Sequence, residues 1–184
     1  RIQTRRGPVL VAGLPYVPRT RLLAREEYRD LGLDEVNALL AERVAALVAE
    51  LAAGVEAARR GEPETPAILV AHLSVAGGRA GSERSIMLGT DMVVPVAALE
   101  LPEFDYVALG HLHPYQVLGA EGKVVYSGSL DRVDFGEEGE PKGFVVVDLV
   151  RGAARHEFVP NRVRPFVTVR VRVPDGAADP TAVI

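Results

Sequence analysis

The sequence predicts an α/β protein, and three observations carry that expectation. Short apolar runs at Pro8–Leu14, Ala67–Ala71 and Tyr106–Leu109 have the length and residue content of buried strands. Between the first two, residues 34–60 return apolar side chains at helical spacing. Beyond the third, short apolar runs alternate with turn residues, as hairpins do. With 184 residues, 48% of them hydrophobic, the chain can bury the core of one domain, or of one domain and a piece of another.

The first strand, Pro8–Leu14, is ended by Pro15 and Pro18. Before it, Arg1–Arg6 is basic and suggests no element on which a domain would begin, so a preceding segment is expected. Thr20–Asp30 is read as a short helix closed by Gly32. Asp34 is the expected N-cap of the long helix, whose stripe is Val36, Leu40, Val44, Leu47, Leu51 and Val55. Arg59, Arg60 and Gly61 mark its end, and Pro63 and Pro66 the loop after it. The stripe suits packing on a sheet. Ala67–Ala71 then leads to His72, and Gly77–Ser85 is a Gly- and Ser-rich loop without the spacing of a phosphate-binding P-loop. Asp91–Leu101 holds another apolar stretch. Val124–Tyr126 and Gly143–Leu149 read as strands, antiparallel because their connections are short. From Arg162 the pattern changes: Val167, Val169, Val171 and Val173 alternate with Thr168, Arg170 and Arg172, the first strand of a second domain. The boundary is drawn at 159/160, with domains at 1–159 and 160–184.

Chemistry concentrates where the third strand ends. Gly110 lets the chain turn out of the sheet and delivers His111 and His113. In an extended chain both imidazoles leave one side, with stems roughly 6.5–7 Å apart. That spacing lets each hold a different ion of a pair about 3.5–4 Å apart. The residues alone also allow two loop histidines without a ligand. His72, the third histidine after an apolar run, favours a shared cluster. Ser127-Gly128-Ser129 follows a strand, where hydroxyls and amides suit phosphate, though a plain turn fits equally. The Arg170 and Arg172 face suits phosphates too, against the simpler reading of a solvated strand face.

Composition narrows the classes. The chain has no cysteine, which removes disulfides, thiolate metal sites and a cysteine nucleophile, and fits a reducing cytoplasm. No apolar run is long enough for a bilayer, so no membrane partner is expected. A net charge of −4 does not announce nucleic acid, which would need local basic faces.

Several stretches resemble the SbcD-type DNA exonuclease subunits of double-strand-break repair. They are Ala71-His-Leu-Ser-Val-Ala-Gly-Gly with Gly81-Ser-Glu-Arg, Asp105-Tyr-Val-Ala-Leu-Gly-His-Leu-His-Pro-Tyr-Gln, Val125–Glu138, and Lys142-Gly-Phe-Val-Val-Val-Asp148. The Gly-His-x-His element alone is shared by calcineurin-like metallophosphoesterases in general; the other stretches point to the SbcD branch. The resemblance implies a sandwich of two mixed sheets flanked by helices, followed by an α+β cap domain. It implies two Mn²⁺ ions (Mg²⁺ is the alternative), with His72 and His111 on one and His113 on the other. Asp105, Asp131 or Asp134 would orient a ligand histidine. It implies DNA ends as substrate, an SbcC-type ATPase as partner and a homodimer. The family's Asp-x-His, Gly-Asp and Gly-Asn-His motifs, with the catalytic histidine, are not in these residues and are expected upstream. No catalytic residue is therefore assigned, and the chain by itself is expected to be inactive. The alternatives are another metallophosphoesterase, acting on nucleotides, cyclic phosphodiesters or phosphoproteins, and a metal-free scaffold.

Overall fold

The apolar runs of the sequence assemble into a mixed sheet. The computed structural model describes residues 1–18, 31–81 and 92–170. Its elements in chain order are β1 (Ile2–Thr4), β2 (Gly7–Leu14), α1 (Leu33–Ala58), β3 (Ala67–His72), β4 (Ser74–Val75) and β5 (Val93–Val94). Then follow β6 (Tyr106–Gly110), β7 (Gln116–Leu118), β8 (Val124–Tyr126), β9 (Gly143–Val150) and β10 (Ala153–Pro160). The main sheet is six-stranded in the order β1-β2-β3-β6-β8-β7. β2, β3, β6 and β8 run parallel, while β1 and β7 close the edges antiparallel.

Alternation along the strands sorts side chains between two faces. Leu10, Ala12 and Leu14 of β2, with Ala67, Leu69 and Ala71 of β3, are buried in one core with Val36, Leu40, Val44, Val48, Ala52 and Val55 of α1. Burying each of the larger side chains contributes about 1.5–3 kcal/mol. The other face carries Val11, Ile68 and Tyr106 in register across β2, β3 and β6. The β9–β10 pair lies over that face. A groove lined by Val9, Val11, Ile68, Val147 and Leu149 runs between them, and the Tyr106 and His156 rings approach to 6.1 Å. Helix, mixed sheet and antiparallel ribbon thus make an α/β arrangement. Among the described residues no helix is long and apolar enough to cross a membrane.

Parallel pairing of β3 and β6 is set at their N-terminal ends by Asp105. Its Oδ2 accepts from the Ala67 amide at 2.8 Å, and its own amide donates to the Ala67 carbonyl at 2.9 Å. Oδ1 accepts from Arg151 at 2.8 Å and from the Gly152 amide at 2.7 Å, which ties the β9–β10 turn to the sheet. Arg59, 4% exposed, closes the end of α1 on the same carboxylate at 3.8 Å.

Several expectations need correction. Arg1–Arg6 contributes a strand, because Ile2–Thr4 pairs with Gly7–Val9 across a tight turn. α1 is capped at Gly32, whose amide donates to Glu35 Oε2 at 2.9 Å; Asp34 lies inside its first turn. Leu47 is 37% exposed, and Val48, four residues beyond Val44, is fully buried in its place in the stripe. Val124–Tyr126 is antiparallel to β7 but parallel to β6, and Gly143–Val150 pairs with β10, an element the sequence reading did not name. Residues 161–170 form no strand, although one was expected from Val167. Among the described residues no ladder partner lies beside them; instead Thr168 bonds Glu138 through its amide and hydroxyl. The expected helix at Thr20–Asp30, residues 82–85 of the expected Gly77–Ser85 loop and Arg172 lie outside the described residues.

Candidate metal centre

Because β3 and β6 are parallel neighbours, their C-terminal ends emerge side by side, with His72 opposite Gly110. The His72 ring leans across β6: a Cβ on Gly110 would stand 3.0 Å from its Nδ1. Glycine at 110 therefore leaves room for the imidazole as well as for the turn. His111 follows with φ of 109°, a left-handed geometry rare outside glycine. This bend brings His111 Nδ1 to 3.3 Å from His72 Nε2, with the ring centroids 5.1 Å apart. Tyr16, just past β2, sets its ring 6.0 Å from His72 and 6.4 Å from His111.

Two imidazole nitrogens at 3.3 Å share either a proton or a cation. With metal–nitrogen bonds of roughly 2.0–2.1 Å, that separation subtends about 100–110° at an ion, an ordinary angle of a coordination polyhedron. The donor pair therefore fits one edge of a site for a divalent ion. Among the described residues no group of three His, Asp or Glu forms a metal cluster.

His113 has a different surrounding. The extended geometry expected for residues 111–113 does not hold: β6 ends at Gly110, and Leu112 turns into the core at 4% exposure. His113 Nδ1 lies 2.6 Å from Glu137 Oε1. Glu137 Oε2 accepts from the Val133 amide at 2.8 Å and pairs with Lys142 Nζ at 3.0 Å. The side chains of Glu137 and Lys142 are both 0% exposed. Burial pushes the Glu137 carboxyl up, but hydrogen bonds from Val133, His113 and Lys142, with the lysine charge, hold it below its ordinary 4.5.

The carboxylate beside the His113 ring is Glu137 rather than one of the three aspartates. Asp105 is spent at the opposite ends of β3 and β6, roughly 15–20 Å away along the strands. Asp131 accepts from the Arg132 amide, and Asp134 caps Gly136 at 2.7 Å. Nothing periodic marks Glu137 in the sequence; its place within the Val125–Glu138 stretch is its only signal.

The Ser127–Ser129 loop is a brace for this histidine. The Ser129 amide donates to the His113 carbonyl at 3.0 Å, and Ser127 Oγ turns to the Gly128 carbonyl at 3.4 Å. Ser129 Oγ is buried with no hydrogen-bond partner among the described residues. An amide already committed to His113 does not serve as a phosphate donor. Gly128, with φ of 77°, packs on the same backbone: a Cβ there would meet the His113 oxygen at 2.5 Å. Gly128→Ala is accordingly expected to lower stability by more than about 1 kcal/mol, read from the denaturant midpoint. An unchanged midpoint would show that the loop yields easily. Arg170 is exposed on the irregular segment, and no hydrogen bond joins it to the histidines among the described residues.

No protein-family model matches the chain. It is 38% identical over 161 residues to the SbcD component of the SbcCD nuclease of Rhodobacter capsulatus. The chain is SbcD-type. The match covers 83% of the chain and 36% of that relative, so the chain spans about a third of the length of the relative it matches. His72, His111, Glu137 and Lys142 all belong to the SbcD-like stretches read from the sequence.

Proposed function

We propose that the protein is part of a divalent-metal-dependent DNA nuclease that hydrolyses phosphodiesters at DNA ends together with an SbcC-type ATPase. One observation carries this reading: two imidazole nitrogens 3.3 Å apart at the ends of adjacent parallel strands, in an SbcD-type chain. Open α/β sheets bind ligands outside the carboxyl ends of their strands.

In this reading His72 Nε2 and His111 Nδ1 hold one ion and His113 helps to hold a second. Manganese suits such nitrogen ligands combined with carboxylates, with magnesium as the alternative. When bound, the ions supply Lewis acidity and a nucleophile competent at neutral pH. The chain's own residues fix the donors: Gly110 admits the His72 ring, the left-handed turn aims His111, and the Ser127–Ser129 loop holds the His113 backbone. The six-stranded sheet and the β9–β10 ribbon are read as parts of the two layers of a metallophosphoesterase sandwich, and residues 160–184 as the opening of a cap domain. The remaining ligands and the catalytic histidine are assigned to residues outside this chain, as is the dimer interface. The 184-residue chain by itself is then inactive.

Manganese titration of the intact protein, with cleavage of duplex DNA ends, tests the proposal. His72→Ala and His111→Ala are expected each to abolish cleavage and to weaken manganese binding by about 10-fold or more. His156→Ala, on β10, leaves both unchanged. Retention of metal binding and cleavage in His111→Ala would refute the assignment. Preference for small phosphodiesters over DNA ends would move the protein to another branch of metallophosphoesterases. Absence of metal from the intact protein would leave a scaffold.

A further inference from the structure

We infer that Glu137 is a positioning residue for His113, holding its imidazole as the Nδ1–H tautomer so that Nε2 is the lone-pair nitrogen. Glu137 Oε2 already faces two donors, the Val133 amide at 2.8 Å and Lys142 Nζ at 3.0 Å. A carboxylate only accepts, so Oε1, 2.6 Å from His113 Nδ1, takes its hydrogen from the ring. In the neutral ring that leaves Nε2 without a hydrogen, the form a metal ligand or a general base requires.

Both ends of the residue are held by the same unit. Lys142, which neutralises Glu137, also donates to the His113 carbonyl at 3.4 Å, and the Ser129 amide donates to that oxygen at 3.0 Å. Lys142 is shared further with Glu140 at 2.8 Å. Arg132 fastens the 137–140 turn by donating to the Glu137 and Glu140 carbonyls at 3.1 and 3.3 Å. The segment from Val133 to Lys142 is therefore a frame built around one imidazole. Its consequence for metal binding rests on the reading of His113 as a ligand; the tautomer does not.

Glu137→Gln makes the inference sharp. The glutamine pairs the same three neighbours only by turning its oxygen to Val133 and Lys142 and its NH₂ to His113 Nδ1. Nδ1 must then accept, and the tautomer inverts to Nε2–H. Long-range ¹H–¹⁵N spectra of the metal-free, histidine-labelled intact protein, at a pH where the ring is neutral, read this directly. His113 is expected as Nδ1–H in the parent and as Nε2–H in Glu137→Gln. A support role for the loop alone would leave the tautomer unchanged. The parent spectrum decides even if the variant folds poorly: an Nε2–H or averaged His113 overturns the inference. Manganese addition separates the two claims. Broadening of His113 without the Nδ1–H tautomer defeats the positioning role alone. The Nδ1–H tautomer without broadening defeats only the ligand assignment.

Discussion

Lys142→Met is expected to cost the protein about 3–5 kcal/mol, because it strands a fully buried carboxylate. Methionine keeps the apolar stem of the lysine and removes only the ammonium that pairs with Glu137 at 3.0 Å and Glu140 at 2.8 Å. Glu140 is 25% exposed and can turn to water, whereas Glu137 at 0% cannot. The double variant Glu137→Leu/Lys142→Met is expected to recover most of the loss, since an apolar pair of similar volume needs no charge compensation. Urea unfolding at neutral pH reads both, and a single-variant loss below about 1 kcal/mol would mean that water reaches the carboxylate.

The same pair sets an acid limit. The folded Glu137 carboxyl lies below its ordinary 4.5, so its contribution is complete above that value. It is lost as pH falls from 4.5 through the lower, folded value, where the unfolded chain binds the proton first. Stability should therefore drop on acidification below 4.5 in the parent, and drop less steeply in Lys142→Met, where the depressing charge is gone.

Asp105→Ala is the second large effect, again expected at about 3–5 kcal/mol. The Ala67 and Gly152 amides lose their acceptor, and Arg59, at 4% exposure, loses the buried one of its two carboxylate partners and keeps Glu56 at 3.0 Å. Arg151 is about a third exposed and contributes less, because water replaces its partner. The loss falls at the ends of β3 and β6 remote from the histidines. Thermal unfolding should shift strongly, while manganese affinity measured well below the transition stays near that of the parent. Equal losses in both would show that the strand register, and with it the His72–His111 approach, depends on Asp105.

Buried strands were legible wherever both faces are covered: β2, β3 and β6 read as apolar runs because the sheet lies between α1 and the β9–β10 ribbon. β10 was not. Its Ala-Ala-Arg-His-Glu-Phe-Val carries charges on the face away from the sheet and resembles a loop until β9 pairs with it. The reverse error came at Val167–Arg170, where alternation was present but, among the described residues, no partner strand lies beside it. Alternation proposes a strand; ladder hydrogen bonds make one.

By itself, the sequence determined the α/β class, the long helix, the three histidines at strand ends and the SbcD resemblance. All of these reside in local pattern or in matched residues. Only the tertiary structure decided that His72 and His111 face each other at 3.3 Å, that Asp105 serves the far end of the sheet, and that Glu137 and Lys142 enclose His113. Those facts depend on parallel register and on burial. Both join residues dozens of positions apart, and neither leaves a periodic trace along the chain.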